Sequence, residues 1–227
     1  MALSSFKRAG LANTNTFQTS YADFSNTPTG TYTDGNGFTW KYIQFNASGS
    51  LVVTRAGIAD LFVLSGGGTA YRNYSQDSAY NAGAGAGGLL NRPYTLEEIT
   101  YTVTVGGAGG NSSFGSLATT TAGENAGVNN GGNQGANNQG PGFLGWDAYN
   151  GATGGGAGGN AAANTPGVGV VSFITGSEVT YGIGGKRFQP GTPPTANSGN
   201  GGTSANSGTG LANPGGSGVV IIRVRTN

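Results

Sequence analysis

An all-β fold, a jelly-roll-like β-sandwich with packed glycine-rich loops, is what this sequence predicts, and three observations carry the prediction. Segments of β-branched and aromatic residues with period two recur along the chain. Helical periodicity is almost absent. Glycine is spread unevenly: of 47 residues, 6 lie in the first 65 positions and 41 in the 162 that follow.

Taken in order, residues 1–33 ("MALSSFKRAGLANTNTFQTSYADFSNTPTGTYT") are polar, rich in Ser, Thr and Asn, and without a sustained period. Such a stretch alone is expected to stay floppy. Residues 1–36 are therefore read as an N-terminal arm held down by something else, such as another subunit, and 37–227 as the glycine-rich sandwich domain. "DGNG" at 34–37 is a turn signal, since Gly and Asn accept positive φ.

In "FTWKYIQF" at 38–45 the rings of Phe38, Trp40 and Tyr42 share a face, and Ile43 and Phe45 then switch parity. That pattern fits a bulge or a strand buried on both sides. "LVVTR" at 51–55 follows, and the almost wholly apolar "IADLFVL" at 58–64 belongs in the middle of a sheet. "TLEEI" at 95–99 has capping-box spacing and predicts one helical turn leading into the next strand. "ITYTVTV" at 99–105 predicts Ile99, Tyr101, Val103 and Val105 inward and the threonines outward.

"VGVVSFI" at 168–174, "EVTYGI" at 178–183 and the closing "GVVIIRVR" complete the strands. In the last, Val220, Ile222 and Val224 line one face, leaving Arg223 and Arg225 to solvent or a partner. Strands from both ends of the chain are expected to pair, with glycine-rich excursions between them.

"TGGGAGGN" at 153–160 has no side chains to bury. Collagen needs a strict Gly-X-Y period that "GAGAGG" and "GGAGGN" do not keep. Packed polyglycine II helices meet the difficulty, because each can give its backbone N–H and C=O groups to neighbours of the same kind. Asn and Ala are small enough to interrupt such tracts.

Charged residues make up 8% of the chain and the net charge is +1, which argues against a nucleic-acid partner and against a polybasic membrane tether. Cysteine and histidine are absent, so no thiolate or imidazole metal site and no His general base is expected, and no cofactor is assigned. "MALSSFKRAG" lacks the apolar run of a signal peptide, and "GVVIIRV" is too short to span a bilayer.

Gly83, Gly85 and Gly88 fit G-x-G-x-x-G, but "SAYN" before and "LLNRP" after give neither the strand nor the helix of a dinucleotide site. "GIGGKR" at 182–187 has Thr180 where a phosphate loop needs its first Gly, and Arg187 where it needs Ser or Thr. Glu97 and Glu98 read as solvated charge. Asp147 and Glu178 are a candidate hydrolase pair only if folding brings them together, and no catalytic residue is assigned.

Three insertions break the glycine background: 69–81, 140–150 and 186–198. The first carries Tyr71, Arg72, Tyr74, Asp77 and Tyr80, and the second Phe143, Trp146, Asp147, Tyr149 and Asn150. Aromatic faces flanked by amide, carboxylate and guanidinium groups suit sugar binding, since a ring stacks on the apolar face of a pyranose while polar groups take its hydroxyls. Tyr71, Arg72, Tyr74, Tyr80, Trp146, Asp147, Tyr149 and Asn150 are the candidate glycan contacts. The other reading of the same residues is a satellite core or a subunit interface. Pro190, Pro193 and Pro194 stiffen the third insertion.

The ordered motifs "YIQFNASGSLVVTRAGIADLFVLSGGG", "GAGAGGLL", "YTVTVGGAGG", "NSSFGSL", "ITGSEVTYGIGG" and "GGSGVVIIRV", from Tyr42 to Val224, resemble the glycine-rich domain of tail fibres and other virion proteins of tailed bacteriophages. The resemblance implies a non-enzymatic structural protein of the virion surface, a tail fibre or fibre-tip adhesin whose loops meet bacterial surface polysaccharide. A homotrimer, and contact with other virion proteins through the N-terminal arm, are implied in the same way. A capsid decoration protein or head fibre is the alternative. An ice-binding protein would need flat, regular Thr or Ala faces, of which only "TYTVTV" gives a hint.

Overall fold

The period-two segments pair as strands in a computed structural model, which describes residues 20–71, 81–127, 130–135, 144–145, 152–187, 193–204 and 212–226. These are β1 (Asp23–Phe24), β2 (Gly30–Thr33), β3 (Thr39–Phe45), β4 (Gly49–Arg55), β5 (Gly57–Leu64), β6 (Leu89–Leu96), β7 (Thr100–Thr104), β8 (Ser112–Phe114), β9 (Ala118–Thr120), β10 (Val170–Ser172), β11 (Val179–Tyr181) and β12 (Val219–Arg225). No helix occurs among the described residues.

Two five-stranded antiparallel sheets face each other, in the orders β1-β4-β7-β8-β9 and β2-β3-β12-β5-β6, and β10 and β11 form a separate hairpin. Strand β12 lies between β3 and β5, so distant parts of the chain close the second sheet.

Alternation along each strand builds the space between the sheets. Phe24, Leu51, Val53, Tyr101, Val103, Phe114 and Ala118 from the first sheet meet Ile43, Leu61, Val63, Leu90, Val220, Ile222 and Val224 from the second. Full burial of such side chains contributes about 1.5–3 kcal/mol each. The opposite face of the second sheet is also covered, because Phe62, Leu64, Val219 and Ile221 pack against Ile174, Tyr181 and Ala157. That double burial is why β5 and β12 are apolar at nearly every position.

Several local expectations change. Strand β3 keeps regular register with β12 from Phe45↔Val220 to Trp40↔Arg225, so its parity switch reflects contacts on both faces and no bulge. Thr95 and Leu96 end β6 and a bend follows at 98–99, so no helical turn forms. There Leu96, Tyr101 and the pairing of β6 with β5 outweigh a five-residue capping signal. Ile99 is 49% exposed, since β7 begins only at Thr100.

The segment expected to be a floppy arm contributes strands where it is described. Strand β1 pairs with β4 in one sheet and β2 with β3 in the other. The "DGNG" turn joins β2 to β3: Gly37 has φ 80°, and the Asp34 carboxylate accepts N–H bonds from Asn36 at 2.9 Å and Phe38 at 3.0 Å.

The glycine tracts continue the strands beyond one end of the sandwich and form a polyglycine II bundle. Its centre is segment 82–88, which leads straight into β6. The N–H groups of Gly83, Ala84 and Gly85 bond the carbonyls of Ala152, Gly202 and Glu124, and those of Ala86, Gly87 and Gly88 bond Gly155, Gly199 and Thr121. Partners recur every third residue, as three residues per turn demand. The carbonyls of Gly83, Ala84 and Gly85 in turn accept from Gly132, Gly185 and Gly68, so six segments surround the central one.

Close approach explains the alternation "AGAGAG" at 82–87. A Cβ added at Gly83, Gly85 or Gly87 would stand 2.0, 1.7 or 1.9 Å from a backbone carbonyl oxygen of a neighbouring segment. Ala82, Ala84 and Ala86 are fully buried between those positions. The sandwich is thus held by side chains, and the bundle by backbone hydrogen bonds.

A buried polar knot ties the two together. Ser65, at the end of β5, donates through its hydroxyl to the Thr120 carbonyl at 2.7 Å and accepts the Ser112 N–H at 2.7 Å. Ser112 Oγ accepts the Gly106 N–H at 3.0 Å. All three side chains are fully buried, so this junction is closed to water.

Candidate functional site

The sequence directs attention to the aromatic insertions, and the bundle fixes where they leave the scaffold. Tyr71 and Ala82 exchange backbone hydrogen bonds at 3.0 Å across the base of one insertion. Ala70 N–H reaches Asn213, Asn213 N–H reaches Thr203, and Ser204 N–H reaches Lys186, which brings the flanks of 205–211 and the start of 188–192 to the same level. Gly83 N–H bonds Ala152 and Ala126 N–H bonds Thr69, adding the end of 146–151 and the Gly127–Asn130 turn. All these flanks stand at the end of the bundle farthest from the sandwich.

Of the eight candidate glycan contacts, Tyr71 is placed, half-buried, at that end. Arg72, Tyr74, Tyr80, Trp146, Asp147, Tyr149 and Asn150 lie outside the described residues. Asp147 is likewise outside them, whereas Glu178 is exposed just before β11. Among the described residues no three His, Cys, Asp or Glu side chains gather as metal ligands.

The two phosphate-loop look-alikes have their amides committed elsewhere. Every N–H from Gly83 to Gly88 bonds a backbone carbonyl, and Gly184 and Gly185 N–H bond Gly167 and Ala84 at 2.9 and 2.7 Å. A phosphate cradle needs such groups free.

On the outer face of the second sheet Arg223 sits over the Trp40 ring, 4.2 Å from its centroid, and its guanidinium bonds the Asp60 carboxylate and the Tyr32 hydroxyl. Burial alone would lower its pKa, but these two partners raise it, so the group stays charged. The indole N–H of Trp40 donates to Asp34 at 2.8 Å, and that bond is the main reason the Asp34 carboxyl titrates below the ordinary aspartate range. Arg225 covers Phe38 at 3.5 Å. Parity alone left these arginines to solvent or a partner; Tyr32 and Trp40 take up Arg223, and the rings of Phe38 and Tyr21 lie against Arg225.

A feature with no sequence motif lies beside this array. A cleft of about 430 Å³ opens between β3, β11 and residues 195–200, lined by Tyr42, Thr180, Tyr181, Asn197, Ser198 and Asn200 among others, with no charged side chain in its wall. Asn200 Oδ1 accepts the Ile183 N–H at 2.8 Å and Asn197 Oδ1 accepts from Ser217 Oγ at 3.2 Å. Both side-chain oxygens are thus engaged, and no hydrogen bond among the described residues takes up either amide NH2 group. Burial, with the nearby Tyr42 hydroxyl, raises the pKa of Tyr181, so its phenol is a neutral donor at neutral pH. Only their separation along the chain, from 42 to 200, hid this group from sequence reading.

Comparison of the chain with family models, with curated proteins and with solved structures finds no match.

Proposed function

We propose that this chain is a structural protein of a bacteriophage virion surface, a tail fibre or fibre-tip adhesin that presents loops to bacterial surface polysaccharide. One observation supports this reading most strongly: the flanks of several insertions converge at one end of a bundle whose backbones are mutually hydrogen-bonded. A scaffold fixed in this way loses little entropy when its loops engage a ligand. The insertions rooted there include those with Tyr71, Arg72, Tyr74 and Tyr80, and with Trp146, Asp147, Tyr149 and Asn150. Aromatic and amide side chains of that kind stack on and hydrogen-bond sugars.

Immunogold electron microscopy of the source particles tests the reading. Gold at tails or fibre tips supports host contact; gold spread over heads replaces it with capsid decoration. A homotrimer belongs to the same proposal, and light scattering on the purified chain measures it. Trp146→Ala and Tyr149→Ala are expected to weaken cell binding without altering the melting curve. A variant that unfolds would make these rings packing residues.

A further inference from the structure

The cleft between β3, β11 and residues 195–200 is separate from the bundle-end loops, and its chemistry is specific. We propose that it is a binding site for a neutral saccharide, an assignment that does not depend on the virion reading.

Three properties of the wall select the ligand class. The first is size, since about 430 Å³ falls within the range of small-molecule sites. The second is charge: without a cation or carboxylate in the wall, a phosphate, sulfate or sialic acid would lose hydration with no ion to replace it. A neutral ligand avoids that cost.

The third is the set of polar groups. The amide NH2 groups of Asn197 and Asn200 are donors, and the hydroxyls of Tyr42, Thr180 and Tyr181 donate or accept. A wholly apolar ligand would bury them and leave them unpaired. A pyranose carries hydroxyls around its rim and C–H groups on its faces, matching hydroxyls and amides beside tyrosine rings.

These donors are also held in place. The Asn197 backbone, at φ 60°, donates its N–H to Ser217 Oγ at 2.8 Å. The Tyr181 ring is fixed by Phe62, with centroids 4.8 Å apart. Little side-chain freedom is left to lose on binding.

The test uses the full chain on an array of neutral and acidic oligosaccharides, followed by titration of the best neutral binder with amide NMR. Binding of neutral sugars, with shifts in the Asn197 and Asn200 side-chain NH2 signals, is expected. Thr180→Trp, at an exposed strand position, should fill the cleft and weaken binding at least tenfold. Tyr181→Phe keeps the ring on Phe62 and should weaken it several-fold, while Thr102→Trp, exposed on the other sheet, should leave it unchanged. No binding by any neutral saccharide, preference for acidic ones, or wild-type affinity in Thr180→Trp would overturn the assignment.

Discussion

Replacing Gly85 by alanine adds one methyl group at the centre of the bundle, and its effect follows from distances. The new Cβ would stand 1.7 Å from the Asn133 carbonyl oxygen and 2.3 Å from its carbon. Relieving the clash to an ordinary contact near 3.4 Å moves segment 131–135 by about 1.7 Å. Gly132 N–H to Gly83, Gly155 N–H to Gly132 and Gly135 N–H to Ala86 now span 3.2, 3.0 and 2.9 Å, and a shift of that size breaks at least two of them. Each bond contributes about 0.5–1.5 kcal/mol net, and a donor left buried and unpaired costs about 1–3 kcal/mol. The expected loss is therefore about 3 kcal/mol, roughly 6–12 °C in Tm for a chain of this size. Gly107→Ala is the control: an added Cβ there meets nothing within 4 Å, so the change should be neutral or stabilise by a few tenths of a kcal/mol. Urea unfolding of both variants beside the wild type gives the comparison. If Gly85→Ala falls within 0.5 kcal/mol of Gly107→Ala, close backbone packing does not hold the bundle.

Ser65→Ala removes the acceptor of the buried Ser112 N–H and should cost about 1–3 kcal/mol, read from the same unfolding curves; an unchanged midpoint would show that the junction knot is dispensable. Asp60→Ala leaves half-buried Arg223 without its carboxylate and should cost about 1.5–3 kcal/mol, whereas Asp60→Asn, retaining an acceptor, should cost less; an unchanged midpoint in Asp60→Ala would argue against a charged contact. Asp34 is held low mainly by the Trp40 indole. Asp23 is also held low, where burial acts to raise it and the Lys41 ammonium and Phe24 N–H prevail. Folded-state values below the unfolded ones mean that this stability is complete above roughly pH 5 and is lost as pH falls through the carboxylate range. Melting temperature should fall with acid in that window, and Trp40 fluorescence in a Trp146→Phe background should titrate with Asp34. Acid-insensitive fluorescence would remove the Asp34–Trp40 bond from the account.

The sequence by itself determined the fold class and the character of its loops. Alternation in "TYTVT" places Tyr101 and Val103 in the core, and the nearly unbroken apolar run of β5 foretells a strand in the middle of a sheet. Glycine without a collagen period left backbone-to-backbone packing as the means of burial. These features were legible because strand period and glycine sterics are local properties. What tertiary structure decided was everything that depends on which segments become neighbours. Strands β8 and β9 are three residues each, too short to carry a period, and exist by pairing with β7 and with each other. Tyr32, Asp60 and Arg223 meet across 191 positions, and the cleft takes Tyr42 from β3 and Asn200 from a loop. No spacing rule predicts such meetings, because loop closure costs free energy that grows only as the logarithm of length and so barely distinguishes one distant partner from another. The choice is made by burial and hydrogen bonding summed over the whole assembled fold.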